Sequence, residues 1–294
     1  MVDLAHERGL KYFLITELEW QVTPEEAASL GSDWDAYFEY LNEKWTAGQE
    51  YTFEMGRRIS QDPSDPEVRA WWDSWFAGFT GFMLHTAWLA EENDIEMMAL
   101  GKQVIAAMQP VLEPEWRALI TKVREVYHGS LCQVIWTNNW TEPADIPWAD
   151  ALDYLVLYPW PDLTRTPAPA VDELQDAMTA LNAEIYDRYW ELYGKPIVFL
   201  TTFQSRAQAA QGHWFEPMAS APEVGRDWNA QADLYETFFR TAADAPWFGG
   251  VITWGYWIEP SFNPKYSFDK SSSVRLKPAS LVFRKWVALL SEQG

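Results

Sequence analysis

Glu17 and Glu19 are the first side chains whose spacing suggests chemistry. They lie in the run KYFLITELE, residues 11–19. That run reads as a strand, and residues two apart on a strand project to the same side. It is otherwise too apolar to carry two acids without a use for them. Asp162 and Glu259 lie in loops that follow strand-like runs. Glu259 reads more simply as a solvated loop charge. Paired carboxyl groups can divide acid and base work between them. A second set combines rings and amides. Trp136, Asn138, Asn139, Trp140, Tyr158, Trp160, Trp254, Tyr256 and Trp257 all lie at, or just after, the ends of strand-like runs. Amides suit the hydroxyls of a sugar, and flat indole faces suit the apolar faces of its ring. Packing within the core is the competing use for the same rings. With 19 tryptophans in the chain, most are expected to be structural and a minority to face a groove.

The elements that must position these residues alternate along the chain. Strands are expected from Lys11 to Glu19, Ile95 to Leu100, Leu131 to Trp136, Leu152 to Tyr158, Pro196 to Thr201 and Gly250 to Trp254. Helices are expected from about Asp33 to Arg58, Glu67 to Glu92, Pro114 to Tyr127, Val171 to Tyr193, Asp227 to Ala243 and Pro278 to Leu290, with a short one near Trp148. In the third of these, Trp116, Leu119, Ile120, Val123 and Val126 share one face, the mark of an amphipathic helix. Apolar strands separated by such helices mean a parallel sheet covered by helices.

The unusual residues sit in the loops after the strands, where an α/β barrel builds its site. The expected fold is therefore α/β, a TIM-barrel-like (β/α)8 arrangement forming a single domain over residues 1–294. A doubly wound open sheet is the alternative. No glycine-rich phosphate turn follows any strand, which counts against its nucleotide-binding version. Six strands are legible where a closed barrel needs eight. The first two are expected in an upstream segment or a partner chain, unless the barrel is incomplete.

Composition removes other classes. Net charge is −21, from 43 acidic and 22 basic residues. Such a surface repels phosphate backbones and anionic lipid, so nucleic acid and membranes are poor partners. No apolar signal core and no run of transmembrane length is present, and the compartment is left open. The sequon Asn139-Trp140-Thr141 is the one hint of glycosylation. Cys132, the single cysteine, lies in an apolar run and is expected to be a buried thiol. His6, His85, His128 and His213 are scattered without metal-ligand spacing. Neither a metal nor another cofactor is expected.

Five runs occur in order: WFAGFTGFMLHTAWLAEENDIEMMALGKQ, EPEWRALITKVREVYHGSL, WADALDYLVLYPWPDLT, GKPIVFLTTF and APWFGGVITWGYW. Together they resemble the mannanase-like glycoside hydrolases of family 113 and the related gene-transfer-agent barrel domains. The likeness covers about Ala5 to Trp286, more loosely from Trp20 to Pro66. It implies a retaining (β/α)8 glycosidase whose fourth strand ends in Gly-Asn-Glu, the Glu being the acid/base. That place reads Gly101-Lys102-Gln103 here. The seventh strand of such enzymes runs Lys-Pro-x-x-Phe-Thr-Glu, ending in the nucleophile. Here Lys195 to Thr201 puts Thr201 in that place. The usual aspartate after the sixth strand appears as Tyr158, and the usual basic and imidazole groups after the third appear as Ile15 and Glu17.

These differences decide what chemistry is expected. A retaining hydrolase needs two carboxyl groups about 5 Å apart. The amide of Gln103 does not shuttle a proton near neutral pH, and the hydroxyl of Thr201 has no identifiable activating base. The first expectation is a protein that binds a saccharide or glycan in an aromatic cleft and has lost the two-glutamate mechanism, a pseudoenzyme. The second is an active glycosidase on a β-linked, mannan-like polysaccharide using relocated carboxylates. A pair such as Glu17 with Glu259 would suit inversion, which needs about 6.5–9.5 Å; Glu19 is the other candidate. The third is a structural module of a larger assembly.

Overall fold

A computed structural model describes residues 2–16, 65–102, 104, 107–137, 142–159, 161–214, 223–255 and 270–292. The helix expected over 33–58 lies outside the described residues. The chain divides into two compact units, Met1–Gln133 with Asp145–Ala151, and Val134–Ala144 with Leu152–Gly294.

The first unit holds strands β1 (Phe13–Leu14) and β2 (Met97–Ala99) and the start of β3 (Ser130–Thr137). All run parallel, with Phe13 opposite Met97 and Met98 opposite Leu131. Its helices are α1 (Val2–His6), α2 (Pro66–Glu92) and α3 (Glu113–Arg124). Pro66 opens α2, where its missing N–H is no loss. In α3 the first turn carries Glu113 and Glu115 and the last carries Lys122 and Arg124, which complements the helix dipole. Its buried face is Trp116, Leu119, Ile120 and Val123. Val126 falls beyond the helix end and is only half buried. Trp116 stacks on Trp148 at 5.1 Å and donates its indole N–H to the carbonyl of Ala107 at 2.7 Å. Cys132 is buried, its thiol donating to the Met98 carbonyl at 3.5 Å.

The second unit holds the end of β3, then β4 (Tyr154–Pro159), β5 (Ile197–Thr201) and β6 (Phe248–Thr253). Register is parallel, pairing Val156 with Val198 and Leu200 with Ile252. Gly249 passes so close to β5 that a Cβ would meet the Ile197 carbonyl oxygen at 3.0 Å. The helices are α4 (Val171–Leu181), α5 (Asp187–Tyr193), α6 (Trp228–Ala242) and α7 (Ala279–Ser291). The single helix expected over 171–193 is interrupted by a π turn, Asn182–Tyr186. The bulge lets the Asn182 amide reach the Thr241 carbonyl at 3.0 Å and seats Tyr186 against Phe199 and Trp247. Gly194, at φ 59°, ends α5 in the left-handed conformation that glycine adopts without strain. Asp227 caps α6 by accepting the Ala230 N–H at 2.9 Å.

The strands follow one another in chain order, β1-β2-β3-β4-β5-β6. A doubly wound sheet reverses its strand order at a switch point; this order does not reverse, and it is the order of a (β/α)8 barrel. Among the described residues no helix is long and apolar enough to cross a membrane.

Candidate functional site

Strand β5 places the residues that matter most. Side chains alternate across a strand. Phe199 points into the helix layer, its ring 4.9 Å from Phe238 of α6 and 5.6 Å from Trp247. Phe203 does the same, 5.0 Å from Tyr235 of α6. Thr201, between them, shares that side. It is fully buried, and its hydroxyl hydrogen-bonds the Tyr235 hydroxyl at 2.9 Å. Burial pushes the Tyr235 phenol well above its ordinary value, against a smaller opposing effect of Thr201, so the proton stays available for this bond.

Val198, Leu200 and Thr202 occupy the other face. The register puts Tyr158 beside Leu200 and continues Trp254 beside Thr202, and the Trp254 N–H donates to the Thr201 carbonyl at 2.8 Å. Tyr158 and Trp254 meet edge to face with centroids 5.7 Å apart, and both stay half exposed. In a barrel the face away from the helices lines the interior, and its upper rim is the site. At the rim formed by β4, β5 and β6, that face carries Tyr158, Thr202 and Trp254. Thr201, which stands in the nucleophile place by sequence, lies on the opposite side, toward α6.

The rim is braced from behind. The Ser272 hydroxyl donates to the Trp254 carbonyl at 2.9 Å, while the buried Gln231 amide donates to the Phe203 and Ser272 carbonyls at 2.8 and 3.0 Å. Arg206 is buried in the loop after β5, donating to Gln204 at 2.7 Å and to the Ala207 carbonyl at 3.1 Å. Burial lowers its pKa to about 10, so it remains charged. Gly212, at φ 54°, backs directly on Asp162, leaving no room for a side chain.

At the end of β2, Gly101 turns at φ 86°, and the Lys102 N–H bonds the Thr16 carbonyl at 2.7 Å. Gln133 of β3 is fully buried and donates to the Leu100 and Gly101 carbonyls at 3.4 and 3.3 Å. It braces the turn that leads toward Gln103. Two tyrosines of α5 hold the loop after β3: the Tyr189 hydroxyl accepts the Ala144 N–H at 2.8 Å, and Tyr193 donates to the Ala144 carbonyl at 2.6 Å.

Of the residues singled out by sequence, Trp136 lies on β3. Glu17, Glu19, Gln103, Asn138, Asn139, Trp140, Trp160, Tyr256, Trp257 and Glu259 lie outside the described residues. Sequence reasoning missed Thr202, Gln133 and Tyr235. The two-residue period from Phe199 was the available signal for Thr202. Among the described residues no group of three or more His, Cys, Asp or Glu could hold a metal ion.

The chain-order parallel sheet with helices between its strands is the arrangement of a TIM barrel. The sequence profile of glycoside hydrolase family 113 matches residues 55–271, and the chain belongs to that family. A solved family 113 β-1,4-mannanase superposes over 98% of this chain and 76% of its own, with 21% identity and a TM-score of 0.62. The family 113 β-mannanase of Alicyclobacillus acidocaldarius aligns over 74% of this chain and 63% of its own, with 24% identity and a TM-score of 0.50. The β-glucuronidase of Faecalibacterium prausnitzii shares the fold at 13% identity, over 73% of this chain and 35% of its own, with a TM-score of 0.51. A search of curated protein sequences gave no significant match.

Proposed function

We propose that this chain is a saccharide-binding member of family 113 that does not run the two-glutamate retaining mechanism. The observation that carries the reading is the rim of β5. Its face away from the helices carries Leu200 and Thr202 beside Tyr158 and Trp254, two half-exposed rings and no carboxylate where a nucleophile is needed. Formation of a glycosyl-enzyme needs an anionic oxygen at the anomeric carbon and a proton donor on the leaving oxygen together. Thr201 or Thr202 supplies no anion, and Gln103, in the acid/base place by sequence, supplies no acid. Half-exposed aromatic rings suit the apolar face of a sugar ring. Asn138, Asn139, Trp140, Trp160, Tyr256 and Trp257 are the further saccharide-contact candidates that the sequence supplies.

The test measures binding and turnover of β-1,4-linked mannan oligosaccharides by the unaltered chain. Binding without turnover is expected. Robust turnover that survives Glu17→Gln, Glu19→Gln and Glu259→Gln, each made singly, would end the reading; turnover abolished by one of them would establish relocated carboxylates instead.

A further inference from the structure

The fold completes the hydrogen bonding of Thr201 and leaves that of Thr202 undone. The Thr202 Oγ1 is shielded from solvent and has no hydrogen-bond partner among the described residues, although the residue as a whole is partly exposed. Buried hydroxyls are nearly always paired, because an unpaired one forfeits its bonds to water. A valine there would have the same shape without that cost. The orphaned oxygen also belongs to a residue on the sheet face away from α6, in register with Trp254 and two residues beyond the level of Tyr158. Those two rings form a half-exposed edge-to-face pair.

We propose that Thr202, and not Thr201, is the residue of β5 that contacts a bound saccharide, its hydroxyl bonding a sugar hydroxyl while the sugar ring rests against the Tyr158–Trp254 pair. This rests on the saccharide-binding reading above and names the residue that sets its specificity. A threonine carries a methyl and a hydroxyl on one carbon, and rotation about χ1 exchanges them. The hydroxyl therefore comes to the exposed side when a ligand offers it a partner. A site built to bond a hydroxyl rejects ligands that lack it more strongly than an apolar wall would, so Thr202 favours sugars with a free hydroxyl at that point over deoxy or methylated analogues. Thr201 has no such role, since Tyr235 already occupies its oxygen.

Calorimetric titration of the intact chain with β-1,4-linked mannan, glucan and xylan oligosaccharides, beside thermal melts, separates the two threonines. Thr202→Val should weaken binding about five- to tenfold, the worth of one neutral hydrogen bond, and leave Tm unchanged or slightly raised. Thr201→Val should lower Tm by about 2–4 °C, because the Tyr235 hydroxyl loses its partner, and should leave the affinity as it was. Equal affinity of the unaltered chain and Thr202→Val, with binding lost in Trp254→Ala, overturns the assignment and leaves the saccharide-binding reading standing. Thr201→Val weakening binding more than Thr202→Val also overturns it. Absence of binding by the unaltered chain to every oligosaccharide removes both together.

Discussion

The two faces of β5 differ in how completely their groups are used. On the helix side, Phe199 is enclosed by Tyr186, Phe238, Trp247 and Phe248, and the one polar group, Thr201, is buried and bonded to Tyr235. On the opposite side, Thr202 keeps an unpaired hydroxyl and its ring neighbours Tyr158 and Trp254 stay half exposed. Adjacent residues of one strand thus carry opposite duties. The closed face stabilises the fold, and the open face is the one the proposed saccharide contact would use. Thr202 is not the only buried hydroxyl left unpaired, since Thr237 of α6 is another; what sets it apart is its place beside the half-exposed rings of Tyr158 and Trp254.

The largest expected effect comes from restoring carboxylates to each face in turn. Gln103→Glu with Thr202→Glu should raise turnover of an activated aryl β-mannoside about a hundredfold or more over background, the scale of positioned acid–base groups. Either change alone should do little, because the two carboxyls act as a unit. Gln103→Glu with Thr201→Glu should give no gain and a poorly folded chain, since a carboxylate at that fully buried position has no countercharge. Turnover from the Thr201 pair and none from the Thr202 pair would reverse the assignment of the two faces.

A stability contrast sharpens the same comparison. Phe199→Ala should cost about 3–5 kcal/mol, the usual range for a fully enclosed aromatic ring. Trp254→Ala, on the half-exposed side, should cost far less in a urea melt while abolishing saccharide binding. Similar losses of stability for both would mean that the open face is ordinary core.

Much of this was legible in the sequence. All six strands fall where apolar runs predicted them, and helices α2, α3, α6 and α7 agree within a few residues. Periodicity finds such elements because burial of one face dictates it. Two features were not legible. The π turn at Asn182–Tyr186 adds a residue without changing composition, so nothing local announces it. The face of Thr201 was the second, because the motif GKPIVFLT fixes a position along the strand and says nothing about which side that position takes. Two-residue alternation from the buried Phe199 settles the side, but only once Tyr235 and Phe238 are known to lie behind it.

The smallest expected effect lies on the closed side, where α6 meets α7. Burial disfavours the charge of Glu236, but hydrogen bonds from Lys285, Trp286 and Arg240 outweigh it and hold the carboxyl at about 2. Lys285 approaches to 2.6 Å and the Trp286 indole to 3.0 Å. In the unfolded chain the same carboxyl titrates at about 4.3. A depressed folded value means that the unfolded state takes up a proton first as pH falls. The contribution is therefore complete above about pH 4.3 and is lost progressively on descent toward about pH 2. Because Lys285 and Arg240 are themselves half exposed, the ion pairs are worth only about 1 kcal/mol at neutral pH. Glu236→Gln should lower stability by about that amount at pH 7, flatten the acid limb of a pH series of urea melts, and leave saccharide affinity unchanged. An acid limb equally steep in the variant would place the titrating group elsewhere, and a change in affinity would show that the two faces of β5 are not independent.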